Sequence, residues 1–318
     1  MKYTPKPLFL ERMQELLGSK PDLDKYLKII ETKPIKSIRC NTLKISPSEL
    51  IEKLKNKIKI LQPYKNHPEI MQIDSNLEPG QLGKTKEHLL GYYYIQEITS
   101  MMPIIALAPE ENSIMLDLCA SPGSKTSQAG AKMNNKGIII ANDVIVPRIA
   151  ILSANLEKTG ITNTIITRHE GLNLCKKLNE INFKFDKILV DAPCTGEGNI
   201  RYSPKTILMW NLNMIKKMQR IQTNLLTAAI KLLKPLGEIV YSTCTHAPEE
   251  NELVVNEVLK QFPNLEIVPI NIPVKTRNGI IAWQNQKLNN QLKHAVRIYP
   301  HDENLEGFFL CKMRLKER

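Results

Sequence analysis

The sequence predicts an α/β fold, a doubly wound sheet preceded by a small α+β N-terminal domain. Three observations carry that expectation. From residue 114 onward short apolar runs alternate with amphipathic stretches, the runs lying at 114–120, 137–144, 163–170, 185–193, 236–245, 265–270, 294–300 and 307–313. Each crossover in such a pattern must bury a helix against the sheet, so strand, helix, strand repeated reads as a parallel sheet covered on both faces. The run Lys187-Ile-Leu-Val190 is apolar over successive residues, as a strand buried on both faces requires.

Residues 7–32 read as two short helices. A strand follows at 34–44, then a helix opened by the capping box Ser46-Pro-Ser-Glu49, then strands at 58–62 and 69–74. We expect 1–80 to form a small accessory domain and 81–318 the main α/β domain. Pro79, Gly80 and Gly83 mark a linker near 75–90. Farther along, helices are expected at 124–134, 147–159, 205–233 and 248–262, the third as one long crossover.

Composition narrows the function. With 318 residues, 42% hydrophobic and 24% charged, the chain has an ordinary globular balance. It has no apolar run long enough to span a bilayer, and the first 18 residues interrupt their apolar character with Pro, Glu and Arg. The expectation is a cytoplasmic protein without a membrane anchor, and its six cysteines are then reduced thiols. None forms a Cys-x-x-Cys pair, so no metal site is expected.

The formal net charge is +12 and unevenly spread. Residues 1–100 carry 17 basic and 12 acidic side chains, 101–200 carry 10 of each, and 201–318 carry 17 and 10. Basic flanks around a neutral centre suit a polyanion, because Lys and Arg make the phosphate contacts.

The chemistry is expected at the C-terminal ends of the strands. The first strand runs into Asp117-Leu-Cys-Ala-Ser-Pro-Gly-Ser-Lys-Thr126, a turn that aims free helix N–H groups at a ligand. It lacks the first glycine of a P-loop and the spacing of a dinucleotide fingerprint. Asp143 ends the second strand, placed to accept the hydroxyls of a ribose. Arg148 opens the next helix, and His169-Glu170 closes the third strand. Together they describe an adenosine slot without a phosphate cradle, which S-adenosylmethionine fits better than ATP or NAD.

The fourth strand ends in Asp191-Ala-Pro-Cys-Thr-Gly196 and the fifth in Tyr241-Ser-Thr-Cys-Thr245. One helical crossover between them makes the two strands neighbours, so Cys194 and Cys244 should share a crevice. A thiol, a carboxylate and a methyl donor answer one chemical problem. Carbon 5 of a pyrimidine is too weak a nucleophile until a thiolate adds to carbon 6. A thiol hydrolase using Cys244 with His246 is a weaker alternative, since it needs no adenosine slot.

At this point the residues resemble the NSUN/RsmB family of RNA (cytosine-5)-methyltransferases, most closely its archaeal tRNA-modifying branch. The similar blocks are 37–44, 91–97, 117–126, 191–196, 242–245, 297–300 and 306–309. The resemblance implies a Rossmann-like S-adenosylmethionine-dependent methyltransferase sheet. It implies Cys244 as the nucleophile, Cys194 in proton removal or product release, and Asp191 against the target base and the methyl-donor end. Cys119, Ala120, Ser121, Pro122, Gly123, Ser124, Lys125, Asp143, Arg148 and Glu170 would hold S-adenosylmethionine, with Asp191. Ser124 stands where the family usually has a second Gly, and Glu170 where it commonly has Asp. The substrate expected is RNA, with tRNA favoured over rRNA and a monomeric enzyme. A non-catalytic RNA-binding or assembly factor on the same scaffold is the alternative from another class.

Overall fold

The computed structural model describes residues 4–75 and 77–317. Met1 to Tyr3, part of the N-terminus read above, and Asn76, inside the expected linker, lie outside the described residues.

Two helices open the chain, α1 (Pro7–Leu17) and α2 (Lys20–Ile30). Pro7 starts the first, where its missing N–H costs nothing, and Gly18 ends it with φ 76°. Their apolar faces, including Phe9, Met13 and Tyr26, pack against Ile200, Ile207 and Trp210 from the far side of the chain.

The next elements build a four-stranded antiparallel sheet. They are β1 (Ser37–Cys40), α3 (Pro47–Leu54), β2 (Ile60–Leu61), β3 (Ile70–Ile73), α4 (Lys86–Leu89) and β4 (Tyr93–Ile95), with strand order β2-β3-β1-β4. The capping box is present, Ser46 Oγ accepting from Glu49 N while the Glu49 carboxylate accepts from Ser46 N. The sheet therefore includes a strand beyond the Pro79, Gly80 and Gly83 turn.

The larger sheet begins after α5 (Ile98–Leu107). Its elements run β5 (Ile114–Asp117), α6 (Ser124–Lys132), β6 (Ile138–Asp143), α7 (Val146–Thr159), β7 (Thr164–Arg168), α8 (Gly171–Glu180) and β8 (Phe185–Asp191). After β8 come α9 (Lys205–Met209), α10 (Leu212–Ile230), β9 (Leu233–Thr243), α11 (Glu252–Gln261) and β10 (Leu265–Val268). The chain ends through β11 (Arg277–Asn278), β12 (Ala282–Trp283), β13 (Gln286–Lys287), β14 (Val296–Ile298), α12 (Pro300–Glu303) and β15 (Phe308–Leu315).

Strand order is β11-β14-β15-β9-β8-β5-β6-β7, with β10 on β15. The chain winds from β5 out to β7, then returns to the other side of β5 as β8 and β9, all parallel. The order reverses between β5 and β8, and such a switch point opens a crevice at the strands' C-terminal ends. Neighbouring residues face opposite layers. Leu116 and Val190 meet Leu225, Leu226 and Val254 on one face, while Met115 and Leu189 meet Met101, Met102 and Ala129 on the other. The Rossmann-like, doubly wound α/β class is as expected.

Two details depart from expectation. The last three apolar runs do not extend a parallel sheet, since β15 is antiparallel to β9, β10 and β14. Between β14 and β15 the chain has only α12, too short for the crossover that parallel strands need. The crossover expected as one helix over 205–233 breaks at Trp210 and Asn211. Trp210 Nε1 turns inward to Glu197 Oε1 at 2.6 Å, and Asn211 restarts the helix by accepting from Met214 N at 2.8 Å. Among the described residues no helix is long and apolar enough to cross a membrane.

Candidate active site

Strands β8 and β9 pair in parallel with Asp191 opposite Ser242, so the loops that follow leave the sheet at one level. Cys194 and Cys244 sit in those loops, and their sulfurs lie 3.2 Å apart. Asp191, at the tip of β8, accepts from Ser242 Oγ at 2.7 Å and pairs with Lys125 Nζ at 2.7 Å. Lys125 projects from the first turn of α6 and also donates to Ser100 Oγ at 2.9 Å. Burial works against its charge, but the negative groups of Asp191, Asp117 and Cys244 outweigh it and raise its pKa.

Cys244, Asp191, Lys125 and Ser100 open on a cavity of about 590 Å³, while Cys194, in contact with Cys244, is not among its lining residues. Of the residues expected at the site, Cys244, Asp191, Lys125, Ser124 and Pro122 line it. Gln96, Glu97, Ser100, Tyr202 and Phe308 line it too, and Lys36 and Ser37 reach it from the small sheet. The sequence reading picked none of these as site residues. Glu97 and Phe308 fall inside two of the similar blocks, which was the signal available for them.

A second group of expected residues sits at the ends of β5 and β6, outside that lining. Ser121 N donates to Asp143 Oδ2 at 3.3 Å, Ile145 N to Asp143 Oδ1 at 3.1 Å, and Arg148 pairs with Asp143 at 3.3 Å. Ala120 N donates to Asn142 O at 2.8 Å. Gly123 has φ 98°, and a Cβ there would stand 2.9 Å from Leu152 Cδ1. Glycine is required at this turn. Beyond it, α6 begins without a side-chain cap, so its first N–H groups remain for a ligand. Glu170 is exposed at the start of α8 and accepts from Asn173 Nδ2 at 3.0 Å.

Burial shifts the groups below the crevice. Asp117 is buried, accepts from Thr126 Oγ1 at 2.7 Å, and is pushed up to about 7 mainly by desolvation. Cys119 is raised by burial and by the charge of Asp117. Cys194 is held well above the usual thiol range by its hydrogen bond to Cys244, by burial, and by the charges of Cys244 and Glu250. His246 is pushed down to about 3 by burial, and its ring stacks on Tyr299 with centroids 5.1 Å apart. No hydrogen bond among the described residues joins it to Cys244, so the Cys244–His246 hydrolase pair does not form. Among the described residues no three His, Cys, Asp or Glu side chains are grouped to hold a metal ion.

The model of the 16S rRNA methyltransferase RsmB/F family matches residues 104–314, and that of the RsmF N-terminal domain matches 6–98. The chain belongs to the RsmB/F methyltransferase family. The ribosomal RNA small subunit methyltransferase F of Erwinia tasmaniensis is 34% identical over 316 residues, covering 97% of this chain. This RsmB/F member spans only 63% of that relative's length. The tRNA (cytosine(49)-C(5))-methyltransferase of Pyrococcus abyssi is 37% identical over 284 residues, 89% of both chains. Among solved structures, a methyltransferase homolog from Pyrococcus horikoshii superposes with a TM-score of 0.82 at 34% identity, covering 98% of this chain and 95% of the other. NSun6 from Pyrococcus horikoshii, solved with SFG, gives 0.82 at 25% identity, covering 98% and 99%.

The methyl donor of the RsmB/F family is S-adenosylmethionine. The residues present fit it. The uncapped start of α6 and the glycine turn before it offer N–H groups, and Asp143 offers a buried carboxylate beside them.

Proposed function

We propose that the protein transfers a methyl group from S-adenosylmethionine to carbon 5 of cytosine in RNA, through a transient bond between Cys244 and carbon 6. The observation that carries this reading is the meeting of the Cys194 and Cys244 sulfurs, 3.2 Å apart, beside the Lys125–Asp191 pair. A binding protein on this scaffold has no use for two thiols in one crevice, which weighs against the assembly-factor alternative.

In this reading Cys244, as thiolate, adds to carbon 6 while ring nitrogen 3 takes a proton relayed through Asp191 from the Lys125 ammonium. Carbon 5 thereby gains the electron pair that takes the methyl group. Lys125 and Ser242 fix Asp191 at the edge of the base. A base takes the carbon 5 proton, ring nitrogen 3 returns its own through Asp191, the ring double bond re-forms and Cys244 leaves with its electron pair, a release in which Cys194 acts. The bound donor supplies the methyl as an activated sulfonium, held by Cys119 to Lys125, Asp143, Arg148 and Glu170, with Asp191 at its methyl end.

The RNA proposed is tRNA, supported by the 37% identity to the Pyrococcus abyssi tRNA enzyme across 89% of both chains. Ribosomal RNA is the second reading, favoured by the RsmF relatives and by the RsmF N-terminal match over 6–98. The region 1–80 would contribute RNA contacts as an accessory domain, and the enzyme would work as a cytoplasmic monomer. Incubation of the purified protein and methyl donor with unmodified tRNA and with 16S rRNA, followed by bisulfite sequencing, tests both levels. New protected cytosines in tRNA support the first reading, and protection confined to rRNA replaces it with the second. Absence of protection in both, with Cys244→Ala as the blank, overturns the methyltransferase reading.

A further inference from the structure

The loops that carry the two cysteines are joined one residue past each thiol. Thr195 Oγ1 lies 3.1 Å from Thr245 Oγ1, and both belong to a buried polar network centred on Glu250. The Glu250 carboxylate accepts from Thr195 N at 3.1 Å through Oε2 and from the Thr195 hydroxyl through Oε1. Gln222 Nε2 donates to the same carboxylate at 2.8 Å and to Pro193 O at 2.8 Å. Cys194 is therefore bracketed on both sides, at Pro193 and at Thr195, by one carboxylate–amide pair.

Gln222 and Glu250 are both fully buried, and they come from α10 and from the turn before α11. An apolar side chain at 222 would leave Pro193 O and the buried Glu250 carboxylate without this donor, so the amide ties α10 to the Cys194 loop. The backbone of Glu250 is fixed in turn, since its carbonyl accepts from the buried Tyr241 hydroxyl of β9. On the other loop, Asn251 Nδ2 donates to Thr245 O at 2.9 Å, and Gly198 N to Cys244 O at 2.9 Å. The Cys194 sulfur itself meets the sulfur of Cys244. Its position is thus set by what holds its neighbours.

We infer that Glu250, oriented by Gln222, is a positioning residue that holds Cys194 against Cys244 and thereby sets the rate at which the methylated base is released. The inference rests on the release role proposed above for Cys194. When the bond from Cys244 to carbon 6 breaks, its electron pair returns to sulfur, and the adjacent Cys194 thiol can hydrogen-bond to that departing thiolate. A catalytic group misplaced by about 1 Å loses on the order of 10²-fold in rate, so loosening the loop slows release without touching the nucleophile.

The test uses the full chain, an in vitro tRNA transcript and labelled S-adenosylmethionine. It compares wild type, Glu250→Gln, Thr195→Val and Cys194→Ala for denaturant-resistant protein–RNA adduct and for methyl incorporated in the first turnover. Glutamine leaves one acceptor oxygen for three donors, and valine removes the hydroxyl contacts to Glu250 and Thr245 while keeping the Thr195 N bond to Glu250. Both variants are expected to raise the steady-state adduct by on the order of tenfold, while first-turnover methylation falls by less. Adding Glu250→Gln to Cys194→Ala should raise the adduct no further. If Cys194→Ala accumulates adduct but folded Glu250→Gln and Thr195→Val do not, the positioning role is overturned and the release reading stands. If Cys194→Ala accumulates none, the release reading fails and the inference falls with it. A loss of methylation without adduct in either variant marks a merely structural role and also overturns it.

Discussion

Lys125 Nζ lies 2.7 Å from Asp191 Oδ2, joining the first turn of α6 to the tip of β8 across the crevice where the strand order reverses. Both side chains are mostly buried, 10% and 27% exposed, so the pair acts where charge is weakly screened. Lys125→Met keeps the aliphatic stem and removes the charge that faces Asp191. Methyl transfer is expected to fall by about 10²–10³-fold, the usual cost of one preorganised electrostatic group. Single-turnover methylation of a saturating RNA checks it, and a loss under threefold would show that Asp191 works without its partner.

Asp117 predicts a pH dependence of stability. Its carboxyl is pushed up to about 7 in the fold, chiefly by burial, from an ordinary value of 3.8. Below the lower value both folded and unfolded chains carry the proton, and its contribution is fully present. As pH rises toward 7 the unfolded chain releases the proton first, so stability is lost. Asp117→Asn, which keeps an acceptor for Thr126 Oγ1, removes this slope. Between pH 4.5 and 7.5 the variant should gain on wild type by on the order of 2–4 kcal/mol in urea unfolding without methyl donor. An unchanged difference at the two pH values would mean that Asp117 is ionised in the fold.

Much of the site was legible because its residues occupy strand ends. Asp191, Cys194 and Cys244 each follow an apolar run, and a run that stops at a polar turn marks the rim of a parallel sheet. Glu97, Ser100 and Phe308 were not picked because their place in the cavity depends on packing between segments about two hundred residues apart. Gln222 and Glu250 were hidden for another reason. A buried amide within α10 reads in sequence as one more polar residue of an amphipathic helix, and its partner is revealed only by the turn before α11. The antiparallel end of the sheet was misread because apolar runs give strand existence but not direction, which only the short connection through α12 decides.

Gly198 and Gly307 bring two loops into backbone contact behind Cys244. Gly307 N donates to Gly198 O at 3.1 Å, and a Cβ on Gly198 would stand 2.1 Å from Gly307 O. Since Gly198 N also donates to Cys244 O at 2.9 Å, parting these loops moves the proposed nucleophile. Gly198→Ala is expected to cost about 3 kcal/mol, the upper range for overpacking, and to depress methyl transfer. Gly83→Ala, with nothing within 4 Å of its Cβ, should stay within about 0.5 kcal/mol of wild type. Equal melting temperatures for the two variants would refute the close-contact argument.

The basic flanks predict a salt dependence that separates a polyanionic substrate from a small one. The charge of +12 is carried by residues 1–100 and 201–318, while 101–200 are balanced. Lys36, from the small sheet, lines the same cavity as Cys244, so basic character reaches the catalytic crevice itself. If about four phosphates are neutralised, log affinity should fall against log salt with a slope near −3, or roughly 50–100-fold between 50 and 200 mM. Filter binding of a tRNA transcript to Cys244→Ala, which removes the proposed nucleophile and with it any covalent trapping, measures this slope directly. S-adenosylhomocysteine titrated in parallel should bind with little change over the same range, which separates phosphate contacts from a general effect of salt on the fold. A flat slope for RNA as well would mean that the cationic flanks are a solvated surface and that the substrate lacks a phosphate backbone.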